Sequence, residues 1–229
     1  MKLIDVLGTE FDNIGIIEAV ERSIRAMENV TGDYVLLQDS QQTLQNRRGR
    51  RLQSIISHAL LVLPGDRGIF TASRLLGTPL RHKMSVADYS GALLARMSER
   101  GMSVFILVAR SGGIAQRAAD DLSYRFPGVY VAGAEDISRY DKEALTALIN
   151  EAAPDLLVLA MDYGEQMGLI YSVLPGLDVG LCLGLGRAMD EYTAKRGETG
   201  FFNTLSAEPA RALKEPGIII EALRKRIFG

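Results

Sequence analysis

An acidic and a basic side chain lie side by side in the turn that follows one apolar run. The run 59–63 ends at Pro64, which has no N–H to donate to a neighbouring strand, and Gly65 permits a tight turn. Asp66 and Arg67 come next, and a helical pattern follows them. Ligands of open α/β sheets bind at the carboxyl ends of strands, so this pair could meet a charged ligand. The alternative is an ordinary strand-to-helix connection with two solvated charges.

Polar residues also follow two later apolar runs. The acidic turn 161–166 follows the predicted strand 156–160, and Arg187 and Asp190 follow the predicted strand 179–185. If these strands are parallel neighbours, the polar groups that they deliver share one pocket with the acid described above. Such a pocket would combine carboxylates with a cation.

Two further stretches could receive phosphate. Residues 110–113 read RSGG before a helical pattern, where backbone N–H groups and the helix dipole favour anions. This stretch matches neither the dinucleotide fingerprint nor the P-loop pattern, so a NAD-dependent Rossmann enzyme is not favoured. Residues 46–51 hold four arginines on a predicted helix, for which a solvated face is the alternative to a phosphate role.

The elements that position these residues alternate along the chain. Residues 3–7 predict a first strand, 8–13 a turn, and 14–28 a helix with apolar residues on one face. Residues 103–109 form a nearly continuous apolar run, as expected for a strand covered on both faces. The alternation predicts an α/β fold, Rossmann-like, with a mainly parallel sheet flanked by helices on both faces.

Composition limits the classes of function. The chain has 229 residues, of which 47% are hydrophobic, enough for a real core. Its net charge of −2 gives no electrostatic footprint for nucleic acid, so no nucleic-acid partner is expected. A single cysteine, Cys182, excludes an internal disulfide framework and fits a reducing cytosol. No secretory signal and no apolar run of about 20 residues is recognised, which predicts a cytoplasmic protein.

The C-terminal part differs from the rest and divides the chain into two predicted units. Residues 1–194 form the predicted α/β domain, and 195–229 form an appendage. Within the appendage, residues 218–228 read IIIEALRKRIF and combine apolar with basic side chains. This pattern suits a membrane surface. The alternative is a terminal helix docked on the body of the protein.

Most of the chain resembles the WecG/TagA/CpsF family of bacterial glycosyltransferases, also called glycosyltransferase family 26. The resemblance is carried by DVLGTEFDNIGIIEAVERSI, HALLVLPGDRGIFTASRLLGTPLRHK and ADYSGALLARMSERGMSVFILVA. It continues in AQRAADDLSYRFPGVYVAG, APDLLVLAM and LGLGRAMDEYTAK. These segments occur in the same order as in the family, which is more specific than any single motif among them.

The resemblance implies an activity. Members transfer a sugar from a UDP-sugar to a polyprenyl-diphosphate-linked acceptor at the cytoplasmic membrane face, in the synthesis of surface polysaccharides. The family is regarded as inverting, and no metal or other cofactor is expected. By the same resemblance, residues 195–229 would make peripheral membrane contact at the inner face of the cell membrane. Formation of a homo-oligomer is left open.

The chemistry of this transfer calls for two kinds of group. An acceptor hydroxyl must lose its proton to a base, and the leaving diphosphate needs cations or helix N-termini. The family ascribes the base to the aspartate of its PDG motif, and the corresponding acid here is Asp66, one residue later in the turn. Lys83 and Arg187 would face phosphate, and Asp88, Gln166 and Asp190 would orient sugar hydroxyls. These five and Asp39 are the predicted substrate-binding residues. Asp39 stands in the segment that the family writes NPEH, where it would supply a substitute carboxylate.

Several family motifs are altered, which leaves a second function open. The family's PDG reads PGD at 64–66, and its PKQE reads GEQM at 164–167, where only Gln166 is retained. Asp88 and Asp190 could instead cap helices, and Gln166 could lie on the surface. A catalytically silent homologue, acting as a binding or partner subunit in polysaccharide synthesis, is therefore the alternative.

Overall fold

A computed structural model describes residues 3–47, 49–109, 113–185 and 216–228. Its centre is a six-stranded parallel sheet, and a two-stranded antiparallel hairpin forms a second, separate sheet. The strands in chain order are β1 (Leu3–Val6), β2 (Thr9–Asp12), β3 (Asp33–Gln38), β4 (Leu61–Pro64), β5 (Ser103–Val108), β6 (Tyr130–Asp136), β7 (Leu156–Ala160) and β8 (Leu181–Gly184). The sheet order is β4-β3-β8-β7-β5-β6.

Helices cover both faces of this sheet, which confirms the predicted fold class. The described helices are α1 (Ile16–Glu28), α2 (Ser40–Asn46), α3 (Arg50–Ser57), α4 (Arg67–Leu75), α5 (Val86–Arg100), α6 (Ile114–Arg125), α7 (Lys142–Ala152), α8 (Tyr163–Ser172) and α9 (Pro216–Phe228). Helices α1, α5 and α6 pack on one face. Helices α3, α4, α7, α8 and α9 pack on the other.

Strands that appear in the sequence as continuous apolar runs are buried on both faces of the sheet. Every residue of β7 is buried. Its Leu156 and Val158 join the core under α1, α5 and α6, whereas Leu157 and Leu159 join the core under α4, α7 and α8. Side chains of a strand alternate between faces, so a continuous apolar run feeds two cores at once.

The predicted turn at 8–13 is wrong, because β2 occupies most of it. Leu7 and Gly8 have φ angles of 56° and 90° and form a two-residue hairpin turn between β1 and β2. A leucine seldom adopts a positive φ, so the sequence does not indicate a turn at Leu7. The Asp12 carboxylate accepts the Val62 backbone N–H at 2.8 Å, which places the hairpin against β4, the edge strand.

Three helices begin or end where the sequence pattern did not indicate it. Helix α2 starts at Ser40 although its sequence, SQQTLQN, has only one large apolar residue. The helix predicted over 46–51 is broken, since α2 ends at Asn46 and α3 starts at Arg50 with Gly49 as its N-cap. Most of the predicted turn 161–166 is helical, because α8 starts at Tyr163.

Four neighbouring strands end together and bring their following turns to one side of the sheet. Strand β3 pairs with β4 on one side, Gln38 opposite Pro64, and with β8 on the other. Strand β8 pairs in turn with β7. We call the ends of β4, β3, β8 and β7 the carboxyl edge. Helices α2, α4 and α8 each begin there within three residues of a strand end.

Candidate functional site

Asp66 is the N-cap of α4 and joins that helix to the start of α2. Its Oδ1 accepts the Ile69 backbone N–H at 3.0 Å and the Ser40 hydroxyl at 2.8 Å. Its Oδ2 accepts the Ser40 backbone N–H at 3.0 Å. A carboxylate has about four acceptor positions, so these three bonds leave one for another donor. The acidic residue of the PGD turn is thus held rigidly at the carboxyl edge.

Asp39 occupies the same position one strand away. It is the N-cap of α2, and its Oδ1 accepts the Gln42 backbone N–H at 2.8 Å. The Gln42 side chain accepts the Asp39 backbone N–H at 2.9 Å and completes a capping box. Since Asp39 precedes Ser40 directly, the structure brings Asp39 and Asp66 into adjacent turns.

Gln166 is buried at the end of β8 and is not a surface residue. Its side chain on α8 is 1% exposed. It lies over Gly184, where an added Cβ would stand 1.9 Å from the Gln166 Nε2 atom. The surface interpretation of Gln166 is therefore wrong. A side chain at position 184 would clash with Gln166, because the amide of Gln166 fills the space beside Gly184.

A buried polar cluster that the sequence did not reveal lies between these turns. The Tyr163 Oη atom is 2.5 Å from Asn46 Oδ1 and 3.2 Å from Gln38 Oε1, and Asn46 donates its amide to Gln38 Oε1 at 3.0 Å. Burial raises the pKa of Tyr163, so the hydroxyl stays protonated. Within the described residues, the Gln38 Nε2 donor has no partner. The only sequence signal was a glutamine ending the strand DYVLLQ.

Lys83 lies on the connection between α4 and α5, and Asp88 lies in the first turn of α5. Helix α5 packs on the sheet face opposite to α4 and α8. Lys83 is exposed. Asp88 accepts the Ser85 hydroxyl at 2.7 Å and the Ser85 backbone N–H at 3.1 Å. Ser85 is the N-cap of α5, and Asp88 is its capping-box partner at the third helical position. A capping role therefore accounts for the contacts of Asp88, although it is not itself the N-cap.

Two predicted site residues fall outside the described ranges. Arg187 and Asp190 belong to the stretch 186–215. The chain enters this stretch from β8 through Leu185, whose backbone N–H donates to the Leu159 carbonyl at 3.2 Å. Leu185, the last described residue before this stretch, therefore lies at the carboxyl edge, next to the strand end that Gln166 covers.

The carboxyl edge combines carboxylates with the positive ends of helix dipoles. The starts of α2, α4 and α8 present backbone N–H groups there, and such ends attract anions. Asp39 and Asp66 satisfy some of these N–H groups and add negative charge. The arrangement can hold a polar ligand, accept a proton at a carboxylate and stabilise a leaving anion.

Two features are absent from the described ranges, a cluster of metal-binding side chains and a membrane-spanning helix. No group of three or more histidine, cysteine, aspartate or glutamate side chains there could hold a metal ion. No helix in residues 3–47, 49–109, 113–185 or 216–228 is long and apolar enough to cross a bilayer.

Comparison with known proteins assigns a family. A family model described as "Glycosyl transferase WecG/TagA/CpsF family" matches residues 4–198. Three relatives share the name N-acetylglucosaminyldiphosphoundecaprenol N-acetyl-beta-D-mannosaminyltransferase.

The relatives are distant and are matched over different lengths. The protein of Bacillus spizizenii is 24% identical over 162 residues, which cover 71% of this chain and 63% of the relative. The protein of Bacillus subtilis is 23% identical over 139 residues, which cover 61% of this chain and 54% of the relative. The protein of Staphylococcus aureus is 20% identical over 208 residues, which cover 90% of this chain and 82% of the relative. The match spans less than two thirds of either Bacillus protein.

Proposed function

The chain belongs to the WecG/TagA/CpsF family of glycosyl transferases, and from this premise we propose that it transfers a sugar from a UDP-sugar to a lipid-diphosphate-linked glycan acceptor. The relatives' name suggests the concrete form, an N-acetylmannosaminyl group passed to N-acetylglucosaminyldiphosphoundecaprenol. The product enters a bacterial surface polysaccharide. The observation that carries this proposal is the family match over 4–198, which includes the turn of Asp66.

Asp66 is the proposed catalytic base. An acceptor hydroxyl gives its proton to the remaining acceptor position of the carboxylate while its oxygen attacks the anomeric carbon of the donor. The bond from that carbon to the diphosphate breaks, and UDP leaves with the electron pair. A single displacement of this kind inverts the anomeric centre. The three bonds from Ser40 and Ile69 support the role because they fix the carboxylate in one orientation.

The leaving diphosphate is proposed to be stabilised without a metal. Lys83 and Arg187 supply positive charge, and the starts of α2, α4 and α8 supply backbone N–H groups. The exposure of Lys83 supports this role, since its long side chain is not committed to the core.

The sugar hydroxyls are proposed to meet polar side chains from several strands. Gln166 at the end of β8 and Asp39 at the end of β3 lie at the carboxyl edge. Asp88 and Asp190 complete the proposed set. A flexible amide such as that of Gln166 both donates and accepts, which suits a hydroxyl.

The chain is proposed to act in the cytoplasm at the inner face of the cell membrane. Residues 1–194 would be the catalytic domain, and 195–229 the appendage that faces the membrane or the acceptor. Helix α9 supports this because Ile220, Leu223 and Ile227 are exposed while Arg224 and Lys225 lie beside them. Its opposite side is docked on the body through the buried Ile218.

A silent binding subunit is the second candidate. It is favoured by one observation, that Asp39 and Asp66 both have a structural role as helix caps. Capping alone would explain why carboxylates stand at these positions. In that case the carboxyl edge would bind a nucleotide sugar or a lipid-linked glycan and leave it unchanged.

Measurement of UDP release distinguishes the two candidates. The purified chain is incubated with a panel of UDP-sugars and a polyprenyl-diphosphate-linked N-acetylglucosamine acceptor. The transferase predicts release of UDP that requires both substrates and a lipid product heavier by one sugar. Calorimetric binding of a UDP-sugar without release across the panel would support the silent subunit.

A further inference from the structure

We propose that Ser40 is a positioning residue that orients the Asp66 carboxylate; the inference rests on the proposed role of Asp66 as the base. Ser40 follows Asp39 in the segment that the family writes NPEH, but it is not among the site residues that the sequence predicts. It would act through Asp66 and would not itself touch the reacting atoms.

Ser40 holds both oxygens of the carboxylate. Its hydroxyl donates to Oδ1 at 2.8 Å, and its backbone N–H donates to Oδ2 at 3.0 Å. The side chain of Ser40 is 1% exposed, so solvent does not compete for these bonds. A carboxylate held at two oxygens by one residue cannot rotate about its last torsion without losing both bonds. The remaining acceptor position therefore keeps a fixed direction.

A glycine in α4 makes room for the Ser40 hydroxyl. A Cβ added at Gly68 would stand 2.2 Å from Ser40 Oγ and 3.2 Å from Asp66 Oδ1. Heavy atoms that are not bonded to each other do not approach to 2.2 Å, so any side chain at position 68 would push the Ser40 hydroxyl away from the Asp66 carboxylate. Ser40 and Gly68 thus form a matched pair, a donor on α2 and the gap on α4 that admits it.

The Ser40 hydroxyl is the one side-chain donor among the three bonds that Asp66 accepts. Removing it leaves the bonds from the Ser40 and Ile69 backbone N–H groups. Both of these are backbone groups that the substitution does not remove, so a comparison of variants isolates the hydroxyl.

The test uses two variants that remove the same bond from opposite sides. Ser40→Ala deletes the donor, and Gly68→Ala displaces it while leaving the hydroxyl in place. The control is Ser90→Ala, which removes a buried hydroxyl that donates to the Val86 carbonyl in α5, remote from Asp66. Thermal unfolding identifies variants that remain folded at the assay temperature.

The first readout does not need turnover. The chemical shift of the Asp66 carboxyl carbon is measured by NMR at one fixed pH, with Asp66→Asn identifying the signal. We expect this signal to move in Ser40→Ala and in Gly68→Ala, because the carboxylate loses a donor in both, and to stay in place in Ser90→Ala. An unchanged signal in both variants would overturn the positioning role.

The second readout separates kcat from KM for UDP release. In both variants kcat should fall about tenfold while KM changes little, because the lost bond orients the base and does not bind substrate. If Asp66→Asn keeps full turnover, the proposed base fails, and the NMR signals still decide whether Ser40 holds the carboxylate. If Asp66→Asn is inactive and kcat of Ser40→Ala is unchanged, the base stands and the positioning role is refuted.

Discussion

Substitution of Gly184 by alanine should displace Gln166 without moving the strand that carries it. The new Cβ would stand 1.9 Å from Gln166 Nε2, 2.4 Å from Cδ and 3.0 Å from Oε1. Normal contact distances are about 3.5 Å, so the amide must move by roughly 1.5 Å. The amide is the far end of a flexible side chain, and the overpacking should cost about 1–3 kcal/mol of stability.

The displacement should weaken donor binding. A hydrogen bond stretched by about 1.5 Å is lost, and a neutral bond is worth about 0.5–1.5 kcal/mol. This corresponds to a rise in the KM for the UDP-sugar of about two- to twelvefold, because 1.4 kcal/mol is a factor of ten. The assay is initial-rate UDP release at varied donor concentration, with thermal unfolding alongside.

A second variant and a control sharpen this prediction. Gln166→Ala should raise KM by a similar factor, and the double variant should raise it no further, since both changes remove one contact. Gly91→Ala is the control, because an added Cβ there meets nothing within 4 Å. If Gly184→Ala leaves KM unchanged while Gln166→Ala raises it, the amide does not bind the donor from its place over β8.

Two further outcomes are expected. Burial raises the pKa of Asp12 above the ordinary value of an aspartate side chain, so the folded state keeps a proton that the unfolded chain releases first. Wild type should therefore lose stability relative to Asp12→Asn as the pH rises from about 4 through the raised pKa, seen as a widening gap in Tm between the two. Ile218→Ala in α9, at a fully buried position, should lower the free energy of unfolding by about 2–5 kcal/mol and speed limited proteolysis of that helix. The control Ile220→Ala, at a position 54% exposed, should change little. Equal cleavage rates in the two variants would show that α9 is not held by Ile218.

The apolar framework could be predicted from sequence because its signal is local. Residues 104–108 and 156–160 are unbroken apolar runs, and each run is buried throughout because its strand is covered on both faces. The hairpin of β1 and β2 could not be predicted, since its turn rests on a leucine with positive φ. Helix α2 was missed because its apolar face is almost absent and a capping box starts it.

The candidate site was only partly predictable, because its contacts cross the chain. The turn after β4 drew attention to Asp66, but its partner Ser40 lies 26 residues earlier. Likewise, Tyr163 meets Gln38 across 125 residues, and no local pattern joins them. Gln166 can be buried because Gly184, at the end of β8, leaves room for its amide. Such pairings are set by the order of strands in the sheet, which periodicity does not reveal.

The most direct test of the central claim is the turnover of Asp66→Asn under saturating UDP-sugar and acceptor. Asparagine is as good an N-cap as aspartate, so α4 should persist, and the variant loses chiefly the carboxylate charge and the bond from the Ser40 N–H. Asp141→Asn, which changes the N-cap of α7 in the same way, is the matched control. The account predicts a fall in kcat of about 10²- to 10⁴-fold for Asp66→Asn and none for the control. Turnover of folded Asp66→Asn within twofold of wild type would contradict it.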